Sequence, residues 1–100
     1  MKVLLMVIIL VGSLSGQNLE SILLHQRDSG GWPKNQDYDA KIDRGKLLKD
    51  KVRVDSTFDN GATTSEMRIL AKEFRENGGQ KYLEAFHKGL KFCLDAQYEN

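Results

Sequence analysis

The run Ser56-Thr57-Phe58-Asp59-Asn60-Gly61-Ala62-Thr63-Thr64 sets an Asp-Asn-Gly turn directly before a helix start. It closes a long loop that opens with Gly30-Gly31-Trp32-Pro33-Lys34-Asn35. A carboxylate at a helix entrance, with a tryptophan on a glycine turn upstream, is suited to holding a cation or a sugar ring. The same residues also fit a plain turn and cap, since Asn-Gly tolerates positive φ and Asp59 can accept from free backbone N–H groups. Other chemistries find less support. His25 and His87 have no partner at ligand spacing and read as helix-surface or packing residues. Cys93 falls on an apolar helical face as a small buried hydrophobe. Nothing arranges a serine or cysteine nucleophile, and Gly30-Gly31 lacks the lysine and hydroxyl context of a phosphate loop.

The elements that must position these residues read as helix, long loop, helix, helix. From Asn18 to about Arg27, Leu19, Ile22, Leu23 and Gln26 share a helical face, and Gly30-Gly31 with Pro33 ends that element. Between there and Gly61 no helical period persists, and Val52-Arg53-Val54 is at most a short extended piece. A loop of that length is uncommon in a compact domain unless it is functional or disordered, which points to a binding surface. Thr63-Thr64-Ser65-Glu66 has capping-box spacing, and Met67, Leu70, Ala71 and Phe74 follow at helical intervals until Asn77-Gly78-Gly79. The last helix, about Gln80 to Ala96, carries Leu83, Phe86, Leu90, Cys93, Leu94 and Gln97 on one face. Its two-glycine connection predicts an antiparallel hairpin with the preceding helix.

Composition bounds the setting. Met1-Lys2, the apolar stretch Val3 to Val11 and the small residues Gly12, Ser13, Ser15 and Gly16 describe a secretory signal peptide over residues 1–15. A membrane span would need about twenty apolar residues. Its removal takes one of the 15 Lys+Arg residues and leaves a formally neutral chain against 14 Asp+Glu. Without a single-sign field, neither nucleic acid nor stable membrane association after signal cleavage is expected. The single cysteine allows no internal disulfide, so residues 16–100 depend on their apolar core. The segment Leu23 to Ser29 also aligns with Leu94 to Asn100 at an offset of 71 positions, matching leucine, glutamine and an acidic residue. The first copy continues into Gly30-Gly31-Trp32, so the expectation is a truncated chain whose continuation opens with another Gly-Gly-Trp. Repeated helical hairpins bury their faces only by stacking, which implies an all-α array or toroid.

Taken together, Leu23-Leu24-His25-Gln26-Arg27-Asp28-Ser29-Gly30-Gly31-Trp32-Pro33-Lys34-Asn35, Asp59-Asn60-Gly61-Ala62-Thr63-Thr64 with Glu66-Met67-Arg68, Ala85-Phe86-His87-Lys88-Gly89-Leu90 and Ala96-Gln97-Tyr98 resemble the start of the catalytic module of family 10 pectate lyases. The resemblance runs from about residue 18 to 100. It implies the first part of an all-α, α/α-toroid catalytic domain, secreted to the extracellular space or periplasm and monomeric at full length. The implied activity is calcium-dependent β-elimination of polygalacturonate (pectate).

By the same resemblance Asp59 matches the acidic position of the Asp-Asn-x-Ala-Thr motif, with a role toward Ca2+ or substrate. Asn60 would hydrogen-bond a sugar hydroxyl or carboxylate, Lys34 would pair with a uronate carboxylate, and Trp32 would stack on a sugar or else plug the space between helices. Arg27, Arg53 and Arg68 are further cations that an anionic polymer can meet, Arg68 reading more simply as a solvated or ion-paired helix residue. The catalytic base in that family is an arginine, expected downstream of Asn100, so this chain alone should be inactive. Two other classes share features with it. Gln26 to Trp32 also fits the Gln-x-x-x-Gly-x-Trp repeat of terpene cyclases, which share the helical-toroid architecture, and a noncatalytic carbohydrate-binding domain would bind pectin without cleaving it.

Overall fold

The computed structural model describes residues 18–98, so the expected signal peptide lies outside the described residues. Among the described residues the architecture is wholly helical. Helix α1 covers residues 18–25, α2 Arg44–Asp50, α3 Thr64–Asn77 and α4 Gln80–Tyr98, with one 3-10 turn at Asp59–Gly61. None of these helices is long and apolar enough to cross a membrane.

Helix α1 is enclosed on more than its leucine face. Leu19, Ile22 and Leu24 are buried, and so are Ser21 and His25. The His25 ring satisfies itself locally: Nδ1 lies 2.7 Å from the Ser21 carbonyl oxygen, and the ring stands edge-on to Tyr38. The helix ends at residue 25, two positions short of expectation. Gln26 leaves it to donate to the carbonyls of Gly30 at 2.8 Å and Ala85 at 2.9 Å, tying the loop to α4.

Helix α2 was not expected in the long loop. It is seven residues long with Leu47 its only buried residue, too short to display an apolar period. Its local signals are the Asp43 carboxylate, which caps Lys46 N–H at 3.2 Å, and the Lys46–Asp50 pair at 2.7 Å. Val52-Arg53-Val54 forms a turn and bend instead of an extended piece, with Val54 almost fully exposed.

Helices α3 and α4, joined through Gly78-Gly79, pack together as the expected hairpin. Met67 and Leu70 of α3 join Ile22, Trp32 and Ala85 in the core, with Tyr38, Tyr82, Phe86 and Cys93 packed around them. On α4 the buried line is displaced from the one read off the large residues. Ala85 and Gly89 are enclosed, whereas Leu90 and Leu94 are about two-fifths exposed. Close approach explains the shift, because a Cβ on Gly89 would sit 2.8 Å from Met67 Cγ and 3.2 Å from Trp32 Cζ3. Small residues mark the tightest contact and add nothing to a hydrophobic period.

The capping box does not form. Thr63 precedes α3 without a side-chain cap bond, and Glu66 instead accepts from Tyr38 Oη at 2.5 Å. Glu66 is buried, with Oε1 unpartnered among the described residues. Burial first, and then the bond to Glu66, push the Tyr38 phenol far above its usual range.

Candidate functional site

Two loop stems meet over the core. Arg27, buried at the end of the α1 segment, clamps Asp55 at the start of the second loop through Nε to Oδ1 at 2.7 Å and Nη2 to Oδ2 at 3.2 Å. Its Nη1 donates to the His25 carbonyl at 3.1 Å. That guanidinium holds the Asp55 carboxyl below its ordinary value. Arg53 also contacts Asp55, at 3.1 Å, but from the surface, so Arg27 is engaged inside the fold while Arg53 and Arg68 are exposed.

Between the stems the loops are stitched by backbone. Thr57 N–H donates to the Trp32 carbonyl at 3.1 Å, and Trp32 N–H donates to Thr63 Oγ1 at 2.9 Å. Gly30 and Gly31 let this segment lie against α4: a Cβ on Gly30 would be 2.2 Å from the Lys88 carbonyl oxygen. Trp32 itself has no exposed surface, and its Nε1 donates to the Ile22 carbonyl at 2.8 Å. An enclosed ring with its polar handle satisfied cannot stack on a sugar. Trp32 is therefore the plug between helices, which corrects the stacking role and leaves it supporting the surface above.

That surface gathers Lys34 and Asn35 from the first loop with Asp59 and Asn60 from the second. Lys34 Nζ lies 3.6 Å from Asp59 Oδ2, and Asn60 Nδ2 donates to Asn35 Oδ1 at 3.3 Å. Both asparagines sit at positive φ, 61° for Asn35 and 54° for Asn60, a conformation their short polar side chains tolerate. Asp59 N–H is held by Thr57 Oγ1 at 3.1 Å. Its carboxylate caps neither the 3-10 turn nor α3, and Lys34 is its ion-pair partner among the described residues. The Lys34 and Asp59 side chains are 50% and 69% exposed, and an exposed pair of this length is weak, so either group is free to exchange its partner for a ligand. The structure thus brings Lys34, Asp59 and Asn60 together and separates Trp32 from them. Asn35, Thr57 and Thr63 complete the arrangement; Asn35 adjoins Lys34 in sequence and Thr63 closes the Asp-Asn-x-Ala-Thr motif, whereas Thr57 carries no signal beyond its turn setting.

Calcium takes six to eight hard oxygen ligands. Asp59 and the neighbouring asparagine amide oxygens are donors of the right kind, yet no group of three or more His, Cys, Asp or Glu residues among the described residues could hold a metal. The donors fit calcium in chemistry and fall short in number. A cleft of about 310 Å³ elsewhere, whose lining includes Arg27, Asp50 and Asp55, contains none of the four surface residues. Lys34, Asn35, Asp59 and Asn60 are all exposed.

The pectic acid lyase family model matches residues 26–100. A solved structure, a family 10 polysaccharide lyase from Cellvibrio cellulosa, is similar at 32% sequence identity and TM-score 0.64, over 81% of this chain and 24% of its own. No curated protein sequence matches significantly. The fold is accordingly that of part of an α/α toroid. The chain belongs to the pectic acid lyase family.

Proposed function

We propose that this segment supplies substrate-binding residues to a secreted, calcium-dependent pectate lyase that cleaves polygalacturonate by β-elimination. The observation that carries the proposal is the exposed Lys34, Asn35, Asp59 and Asn60 cluster. Its two loops are pinned by buried hydrogen bonds, while the Asp59 carboxylate serves no capping purpose. Family membership supports the lyase class. The chain spans 24% of the similar structure, so the activity proposed is that of the protein carrying this segment.

β-Elimination passes the C5 proton of a uronate to a base, forms a C4–C5 double bond and expels the glycosidic oxygen from C4; the proton is acidic enough only when the adjacent carboxylate is neutralised. Calcium, when bound, supplies that neutralisation as a Lewis acid. Asp59 would be one of its ligands, with the uronate carboxylates contributing others. Lys34, released from its 3.6 Å contact with Asp59, pairs with a second uronate carboxylate along the polymer. The Asn35 and Asn60 amides offer both donors and acceptors to sugar hydroxyls, and their crossing bond holds the two loops at a common height. The roles of all four residues are binding and orientation.

The test is ultraviolet absorbance of the unsaturated product from polygalacturonate, with calcium and then with chelator, for the complete gene product and its Asp59→Ala variant. Chelator-sensitive product that is lost in a folded Asp59→Ala supports the reading. A folded, pectate-binding protein that forms no product replaces it with a noncatalytic carbohydrate-binding role. Export directed by residues 1–15 belongs to the same proposal and is checked by N-terminal sequencing of the secreted protein.

A further inference from the structure

Thr63 is a β-branched residue at φ 68°, ψ −53°. Thr64 N–H donates across it to the Ala62 carbonyl at 2.8 Å, which makes Thr63 the centre of a positive-φ γ-turn, a rare and strained conformation. Such strain persists only where the surroundings over-determine it. The surroundings are specific. Thr63 is fully buried, and its Oγ1 accepts from Trp32 N–H at 2.9 Å while lying 2.9 Å from the Thr57 carbonyl oxygen, to which it donates. Thr57 N–H returns to the Trp32 carbonyl, closing a ring of hydrogen bonds between the two loops. From that ring Thr57 Oγ1 reaches Asp59 N–H at 3.1 Å, and two residues beyond Trp32 stands Lys34.

We propose that Thr63 is a positioning residue: its strained turn and buried hydroxyl set the separation of Lys34 and Asp59, and so the binding of the anionic sugar chain. This rests on the pectate-lyase reading above. Neither part is replaceable by a cap, because the hydroxyl has turned away from α3 to serve the loops. Serine retains the bonds, whereas valine retains the shape and leaves Trp32 N–H and the Thr57 carbonyl without their link.

The experiment compares initial rates of unsaturated-product formation, at varied polygalacturonate, for the complete gene product and for Thr63→Ser, Thr63→Val, Thr57→Val and a core control, Leu70→Val. Misplacement of binding groups by a fraction of an ångström should raise KM at least ~tenfold in Thr63→Val, with a smaller change in kcat, while Thr63→Ser stays within ~threefold of the parent. Thr57→Val, which removes the Oγ1 that holds Asp59 N–H at a half-buried position, should raise KM in the same direction. In Leu70→Val, destabilised through the core alone, KM should not move. If Thr63→Val and Thr57→Val have parental KM in an active enzyme, the positioning role is overturned and the lyase reading stands. If the parent itself forms no product from pectate, the lyase reading falls and takes this role with it.

Discussion

Replacing Asp55 by alanine probes the clamp that holds the two site-bearing loops at their stems. Breaking a fully buried ion pair by removing one partner costs about 3–5 kcal/mol, because the remaining charge stays desolvated. Arg27 meets that condition, with 4% of its side chain exposed, but Asp55 is 32% exposed and water can enter at the carboxylate edge. The guanidinium loses its two bonds to Asp55 and keeps the one to the His25 carbonyl. The discounted expectation is about 2–3 kcal/mol. Arg53, 60% exposed and sharing the same carboxylate, should contribute no more than about 0.5 kcal/mol, so Arg53→Ala separates the two partners. Urea unfolding followed by circular dichroism, with coincident Trp32 fluorescence as a check on two-state behaviour, measures both. An Asp55→Ala midpoint within about 0.5 kcal/mol of the parent would refute the claim that the Arg27 guanidinium depends on this partner.

The same pair fixes an acid response. Since Arg27 lowers the folded-state pKa of Asp55, its stabilisation is present above the unfolded carboxylate value of about 3.9 and is lost as pH falls through the folded value. The stability difference between parent and Asp55→Asn should therefore be flat near neutrality and shrink below about pH 4, as urea midpoints across pH will show. Trp32 is the single tryptophan of these 100 residues, so the emission of this chain by itself reports on one site: it should be blue-shifted, resistant to iodide and unchanged by oligogalacturonate, and quenching by the sugar would contradict the enclosed placement. Trp32→Ala should destabilise by about 3–5 kcal/mol in the same urea assay. Gly89→Ala should lower stability by about 1–3 kcal/mol despite the better helix propensity of alanine, because the new methyl meets Met67 and Trp32; a gain in stability would show that these side chains give way without cost.

The parts of this protein legible in its sequence are those governed by neighbours along the chain. The α3–α4 hairpin follows from apolar spacing around Met67 and Leu70 and from the Gly78-Gly79 break, and family membership is carried by motifs that survive as strings of residues. Short or locally ambiguous signals failed for a physical reason. Two turns of α2 with a single buried leucine cannot establish a period, and the small residues Ala85 and Gly89 define a contact line that hydrophobicity does not mark.

Only the tertiary structure decided what the polar residues do. Thr63 and Glu66 stand at capping-box spacing, yet the loop carrying Trp32 and the phenol of Tyr38 offer them stronger buried partners, and unpaired polar groups there would be costly. Arg27 resembles any cation in the string and proves to be a buried clamp on Asp55, twenty-eight positions away. Trp32 and Lys34, two residues apart, divide between core and surface because the loop turns over the hairpin. Sequence determined helices α1, α3 and α4 and the kinship, through local periodicity and motif order. Which side chains remain free to meet a substrate depended on long-range partners that no local pattern encodes.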